Sequence, residues 1–264
     1  MAGCRIFGRW VLATVLAANT TAPLLSPAQT PAVTGRDESA ETILQKADEA
    51  RFPSQGTEVG VKIHTFEGND PPETREYQVL TKGNENTIVM TVLPAAERGQ
   101  ILLMKGRDLW LFVPNVSQPV RLSLAQRLTG VVSNGDIARA NFSGDYAPKL
   151  VGAEKIEGQT YHVLNLTALD RSVTYQRVKY WVAQSNYLPY KAEFYSMSDR
   201  LLKTCKYENF RQMAGHVRPA RLVMVDALRS ASRSVMEYDE MRPRELPFNI
   251  RRALGVLVRS WGIG

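Results

Sequence analysis

Cysteine and histidine are scarce in this 264-residue chain, which holds two of the first and three of the second. Cys4 falls in an N-terminal stretch that reads as an export signal. Arg5 and Arg9 give it a basic start, "WVLATVLAA" (10–18) an apolar core, and "SPA" (26–28) small residues before a cut near Ala28/Gln29. Cleavage there leaves Cys205 alone, which excludes an internal disulfide. Cys4 also precedes the apolar core, so it is no candidate for lipid anchoring. His64, His162 and His216 lie far apart, with no HExxH, CxxC or carboxylate spacing beside them, so no metal site is expected. There is no GxSxG elbow, no GxxxxGK[ST] loop and no strand-linked GxGxxG. No catalytic residue and no cofactor are assigned, and an enzyme is not expected.

Long hydrophobic runs are missing as well. The signal's apolar stretch is interrupted by Asn19, Thr20, Thr21 and Pro23, well short of the roughly 20 residues that span a bilayer. The mature chain is therefore expected to be exported without a membrane span. Loss of Arg5 and Arg9 lowers the net charge from +7 to +5. That charge is scattered, and no basic cluster interleaved with aromatics marks a nucleic-acid surface. No repeat or low-complexity segment is present.

What is there is mostly strand pattern. After a polar leader (29–38), "SAETILQKADEAR" (39–51) offers Ser39 as a cap and places Ile43, Leu44, Ala47 and Ala50 at helical spacing. From Thr57 the rhythm becomes alternating: strands are predicted at 57–66, 75–81, 86–93, 118–123, 160–169, 174–184, 187–196, 201–210, 217–228 and 234–241. Short connections such as "EGQ", "DRS", "QSN" and "MSDR" suit hairpins. Residues 124–146, with weak periodicity and several Gly, Ser and Asn, are expected to form one or two short helices with loops. At the C-terminus "PFNIRRALGVLVRSWG" places Ile250, Leu254, Leu257 and Trp261 on one helical face.

The fold class predicted is mainly β, a large antiparallel meander with few helices. Helices so few cannot cover a sheet of about ten strands, so the sheet must curl on itself. One hairpin departs from alternation: "RGQILLMKGRDLWLFVPN" (98–115) is apolar on both faces. Two readings account for it, a strand pair buried in core on both sides, or core on one side and an apolar cavity on the other.

Several runs in order resemble the outer-membrane lipoprotein-sorting protein family, LolA-like in fold. They are Pro94, Arg98 and Gly99; "LMKGRDLWLFVP" (103–114); Gly144 to Tyr146; Tyr175, Lys179, Trp181 and Val182; "YLP" (187–189); Glu193 and Phe194; "LLKT" (201–204); and "RPARLVM" (218–224). The resemblance covers 39–254 as a single domain, with 255–264 left as a tail or helix end. It implies an incomplete barrel of about eleven strands, with an N-terminal helix and inserted helices as plug or lid over an apolar cavity. It also implies a periplasmic carrier of lipoprotein or lipid acyl chains, sorting lipoproteins toward the outer membrane. Partners would be an inner-membrane transporter and an outer-membrane acceptor, and the carrier itself a monomer. The alternative is a lipid-sensing or accessory binding module of an envelope transporter.

Leu102, Met104, Trp110 and Phe112 are assigned to the cavity wall, because aromatic and flexible side chains together suit a variable acyl chain. Leu103, Leu109 and Leu111 would then pack on the opposite face, an assignment that could be reversed.

Overall fold

The computed structural model describes residues 38–229 and 231–245. The expected signal peptide, the leader up to residue 37 and the C-terminal apolar stripe lie outside them. Helix α1 (Ala40–Arg51) starts at its expected cap: Ser39 has extended backbone, and its Oγ accepts from the Thr42 amide at 3.2 Å. Ile43, Leu44 and Ala47 are buried on one face, and Phe52 ends the helix in an extended conformation.

A first meander follows, with β1 (Thr57–Glu67), β2 (Glu73–Lys82), β3 (Asn86–Leu93), β4 (Ile101–Lys105), β5 (Asp108–Phe112) and β6 (Val120–Leu122). An insertion then carries the small hairpin β7 (Arg127–Thr129) and β8 (Val132–Ser133) and the helix α2 (Asn134–Ala138). The second meander is β9 (Tyr146–Ile156), β10 (Gln159–Ala168), β11 (Arg177–Ala183), β12 (Pro189–Tyr195), β13 (Leu201–Met213), β14 (His216–Asp226) and β15 (Ser232–Tyr238). A short β16 (Arg242–Pro243) closes the described chain.

All neighbours in the main sheet pair antiparallel, in the order β6-β5-β4-β3-β2-β1-β15-β14-β13-β12-β11-β10-β9, with β16 on β1. The first and last strands of the described chain's sheet runs meet at its middle, where Ile63 stands opposite Met236. The edges β6 and β9 stay unpaired with each other, so the sheet is an incomplete barrel. One core cluster collects Val59, Val61 and Ile63 of β1, Leu109 of β5 and Leu164 of β10 together with Ile43 and Leu44 of α1 and Ile137 of α2. The sheet therefore curves around both helices, and that side is its inner face.

The sequence reading assigns no strand to 147–156, yet β9 runs through it. As an edge strand β9 pairs only with β10, and Lys149 to Lys155 are exposed, so no apolar alternation marks it.

Candidate functional site

Residues opposite one another on paired strands share a face of the sheet. Leu102 faces Leu111 and Met104 faces Leu109, whereas Leu103 faces Trp110 and Ile101 faces Phe112. Leu102, Met104 and Leu109 belong to the inner core, with Leu111 packed against it. Ile101 and Leu103 join Leu80, Ile88 and Met90 in a separate cluster on the outer face, with Phe112 packed against that one. The four residues assigned to one cavity wall are thus split by the register: Leu102 and Met104 point inward, Trp110 and Phe112 outward. Strand alternation allows no other outcome, since a wall drawn from both strands must join cross-strand partners. The hairpin is apolar twice over because both of its faces are covered.

Among the described residues, α1 and the insertion pack on the inner face. A cavity of about 40 Å³ lies among Arg51, Asp136, Phe142, Tyr175, Tyr207 and Tyr238, so its lining is mixed, and none of the four expected residues touches it. Such a space holds a few waters at most, against the roughly 300 Å³ and more of ordinary small-molecule sites.

What fills the interior is α1 and the insertion 123–145, and both are held by buried polar contacts. The Asp48 carboxylate accepts from the Phe142 amide at 3.0 Å and the Ser143 amide at 2.6 Å. Arg51 lies 3.8 Å over the Phe142 ring and donates to the Tyr207 hydroxyl at 3.3 Å, while its Nε and Nη2 make no hydrogen bond. Burial opposes the Arg51 charge, but Tyr207, Tyr180 and Asp48 outweigh it and hold the guanidinium above its ordinary pKa. Burial pushes Asp48 up despite Arg51 and the two amides.

At the rim, Arg139 donates to both oxygens of Asp145 and to the carbonyls of Asn84 and Gly106. These carbonyls sit in the β2–β3 and β4–β5 turns. Arg107 adds two bonds to Asp145 at 3.1 and 2.9 Å. The Asn84 side chain donates to the Asn141 carbonyl at 2.9 Å and accepts from its amide at 3.3 Å. On the far side, Lys203 of β13 reaches Asp136 and donates to the Val131 carbonyl at 2.9 Å, and the Tyr175 hydroxyl donates to Asp136 at 2.8 Å. Near β1 and β15 the insertion comes closest to the sheet at Gly130, where a Cβ would stand 2.4 Å from Ser234 Oγ and 2.5 Å from Thr65 Oγ1.

Tyr175 and Lys203 fall within runs that carry the resemblance, but none of these groups was given a role from the sequence. Asp145 falls within the "GDY" run that carries the resemblance, but no role is legible there, since its partners lie 6 and 38 residues away. Cys205 is buried and its thiol is pushed up to about 12 by burial, which keeps it un-ionised and unreactive. His64 bonds Thr74 at 2.9 Å, His162 lies 3.4 Å from Gln184, and His216 is exposed, so the three share no site. Among the described residues no group of three or more His, Cys, Asp or Glu is placed to hold a metal, and no helix is long and apolar enough to cross a membrane.

Comparison with known proteins fits this geometry. A LolA superfamily protein from Nitrosomonas europaea is 59% identical, over 80% of this chain and 96% of that one, with a TM-score of 0.77. The chain belongs to the LolA superfamily. A family model described as "-like: Uncharacterized protein" matches residues 83–250 of this superfamily member. Two further structures share the fold at lower identity. One is a DUF1329 family protein from Desulfovibrio piger, 21% identical over 81% of this chain and 97% of that one, TM-score 0.70. The other, named for an outer membrane lipoprotein-sorting protein domain, is from Vibrio parahaemolyticus: 18% identical over 81% and 97%, TM-score 0.69. No curated protein matches the chain.

Proposed function

We propose that this LolA superfamily chain is a periplasmic carrier that takes the acyl chains of lipoproteins onto the inner face of its sheet. One observation carries the reading. The apolar inner face of an unclosed sheet is covered by α1 and the insertion, and these are fastened at the rim by side-chain bonds rather than by strand pairing with the main sheet. On this reading the described state is the closed one, with α1 and the insertion packed on the inner face. Swinging the insertion away uncovers Leu102, Met104 and Leu109, which become the receiving wall.

The energetics suit a carrier. Burying ten methylenes contributes about 8 kcal/mol at roughly 0.8 kcal/mol each, and the cost of opening subtracts from that. Apparent affinity falls with the fraction of open molecules, so a firm clamp keeps cargo exchangeable. The inward groups are largely apolar, with Arg51 Nε and Nη2 and the Tyr180 hydroxyl left without hydrogen-bond partners, and the buried thiol is inert, which suits binding and release. Delivery between an inner-membrane transporter and an outer-membrane acceptor follows from this reading.

The test is native mass spectrometry of the protein purified from its own envelope, with organic extraction and uptake of a fluorescent fatty-acid probe. Bound lipid or acylated peptide, and faster probe uptake in Arg139→Met, support carriage. A ligand-free protein with no uptake in either form overturns it, and co-purification with a membrane complex without cargo favours the accessory-module alternative.

A further inference from the structure

Two side chains on the wall of the cavity of about 40 Å³ have hydrogen-bonding atoms left over, and acyl-chain burial by itself uses neither. Arg51 ends α1, with a side chain only 7% exposed. Its Nη1 donates to the Tyr207 hydroxyl at 3.3 Å, whereas Nε and Nη2 make no hydrogen bond. Those two N–H groups form one edge of the guanidinium, where parallel donors meet an oxygen acceptor. Asn141, from the insertion, lines the same cavity, and its buried Oδ1 is an acceptor without a donor. Its side-chain nitrogen is engaged elsewhere, donating to the Phe52 carbonyl at 3.5 Å.

The carboxylates of the wall are already occupied. Asp136 accepts from Lys203 and Tyr175, and Asp145 from Arg139 and Arg107. The Tyr180 hydroxyl, another buried group without a partner, is not in the lining. Buried polar groups left unbonded are costly. A pair of free donors and a free acceptor on one wall therefore calls for a ligand group that complements both.

Charge decides which group. The buried ionic side chains balance, with Arg51, Arg139 and Lys203 against Asp48, Asp136 and Asp145. Asp48 Oδ1 already stands 3.6 Å from Arg51 Nη2, and Asn141 offers an anion only a repelling oxygen. A carboxylate would enter without a counter-charge of its own, which a buried site tolerates poorly. An ester brings a carbonyl for Arg51 and nothing for Asn141. A secondary amide brings a carbonyl oxygen, an N–H and no charge.

We propose that this cavity is the site for the amide group that joins an acyl chain to its head, with Arg51 Nε and Nη2 donating to its carbonyl oxygen and Asn141 Oδ1 accepting from its N–H. The inference rests on the carriage reading above and adds which part of the cargo is recognised. Phe142, Phe194, Leu222 and Met224 line the same space, which gives the methylenes beside the amide an apolar wall. The Phe142 ring lies 3.8 Å from the guanidinium and belongs to the insertion, so displacing the insertion uncovers the donors. Such a site selects amide-linked chains over hydrocarbon of the same length, because an analogue without the polar group leaves the buried donors unpaired.

The experiment measures displacement of an apolar fluorescent dye from the purified protein by N-methyldodecanamide, methyl dodecanoate, dodecanoate and dodecane. The amide should bind on the order of tenfold more tightly than dodecane, with the ester between them. Arg51→Lys keeps the positive charge beside Asp48 but loses the paired donors, and should bring the amide-to-dodecane ratio close to one. Asn141→Ala should make amide and ester equal. Because either variant can loosen the fold, the ratio within each protein is read rather than the absolute affinity. Equal binding of all four ligands leaves acyl carriage standing and overturns the amide site, its free atoms then meeting water only. Tightest binding of dodecanoate overturns it in favour of a carboxylate site. No displacement by any of the four, dodecane included, fails carriage itself and the inference with it.

Discussion

Replacing Arg139 by Met keeps the aliphatic stem and removes the guanidinium that ties the insertion to two hairpin turns. The lost bonds are two to Asp145 and one each to the carbonyls of Asn84 and Gly106. The side chains of Arg139 and Asp145 are 8% and 3% exposed, so water replaces little of what is lost. Breaking one partner of a buried ion pair costs about 3–5 kcal/mol. Asp145 keeps Arg107, whose side chain is 32% exposed, which puts the expected loss near the lower bound. A loss of about 3 kcal/mol lowers the melting temperature by roughly 6–12 °C in a domain of this size. Urea unfolding followed by circular dichroism measures it, together with Asp145→Asn and the double variant. The two residues are in contact, so the double variant should lose at least about 0.5 kcal/mol less than the two single losses together. If the clamp holds the cover shut, the same change raises the open fraction, and a full 3 kcal/mol corresponds to about 100-fold in probe affinity. A stability loss under about 1 kcal/mol, or strict additivity with Asp145→Asn, would refute the clamp.

Three other outcomes follow from the same contacts. Cys205, pushed up to about 12 by burial, should give no reaction with a thiol reagent at pH 8 in the native state and full reaction in denaturant. His162 has its pKa held below 6.5 by burial, with Glu38 opposing. The unfolded chain therefore takes up its proton first. Stability is full above about 6.5 and falls as pH drops through the depressed value, and His162→Gln should flatten that slope in pH-dependent urea titrations. Gly130 has φ +50°, and a Cβ there would overlap Ser234 and Thr65. Gly130→Ala should cost at least about 2 kcal/mol, read as a drop in melting temperature, with Gly68→Ala (φ +56°, nothing within 4 Å) losing only the backbone part.

Much of the scaffold was legible along the chain. Val59, Val61 and Ile63 alternate because β1 has one face on the core, and Ser39 marks the start of α1 because its hydroxyl caps a free amide. The β4–β5 hairpin was legible as an exception, and the register divides the four residues assigned to one wall between the two faces. Its sequence reports that both faces are apolar but not which partner strand fixes which side chain. Trp110 and Phe112 point outward because Leu103 and Ile101, their cross-strand partners, do.

Local sequence by itself determined the rhythm of most strands, the position of α1, the place of the insertion and the apolar character of both faces of the 101–112 hairpin, because periodicity and capping depend on neighbours a few residues apart. The tertiary structure alone decided that β9 is an edge, that α1 and the insertion pack on the inner face, and that the insertion is fastened where it is. Asp48 meets Ser143, Asn84 meets Arg139 and Asp136 meets Lys203 across 95, 55 and 67 residues. No spacing in the sequence encodes such pairs; they exist because the curved sheet brings α1, its turns and its strands against the insertion.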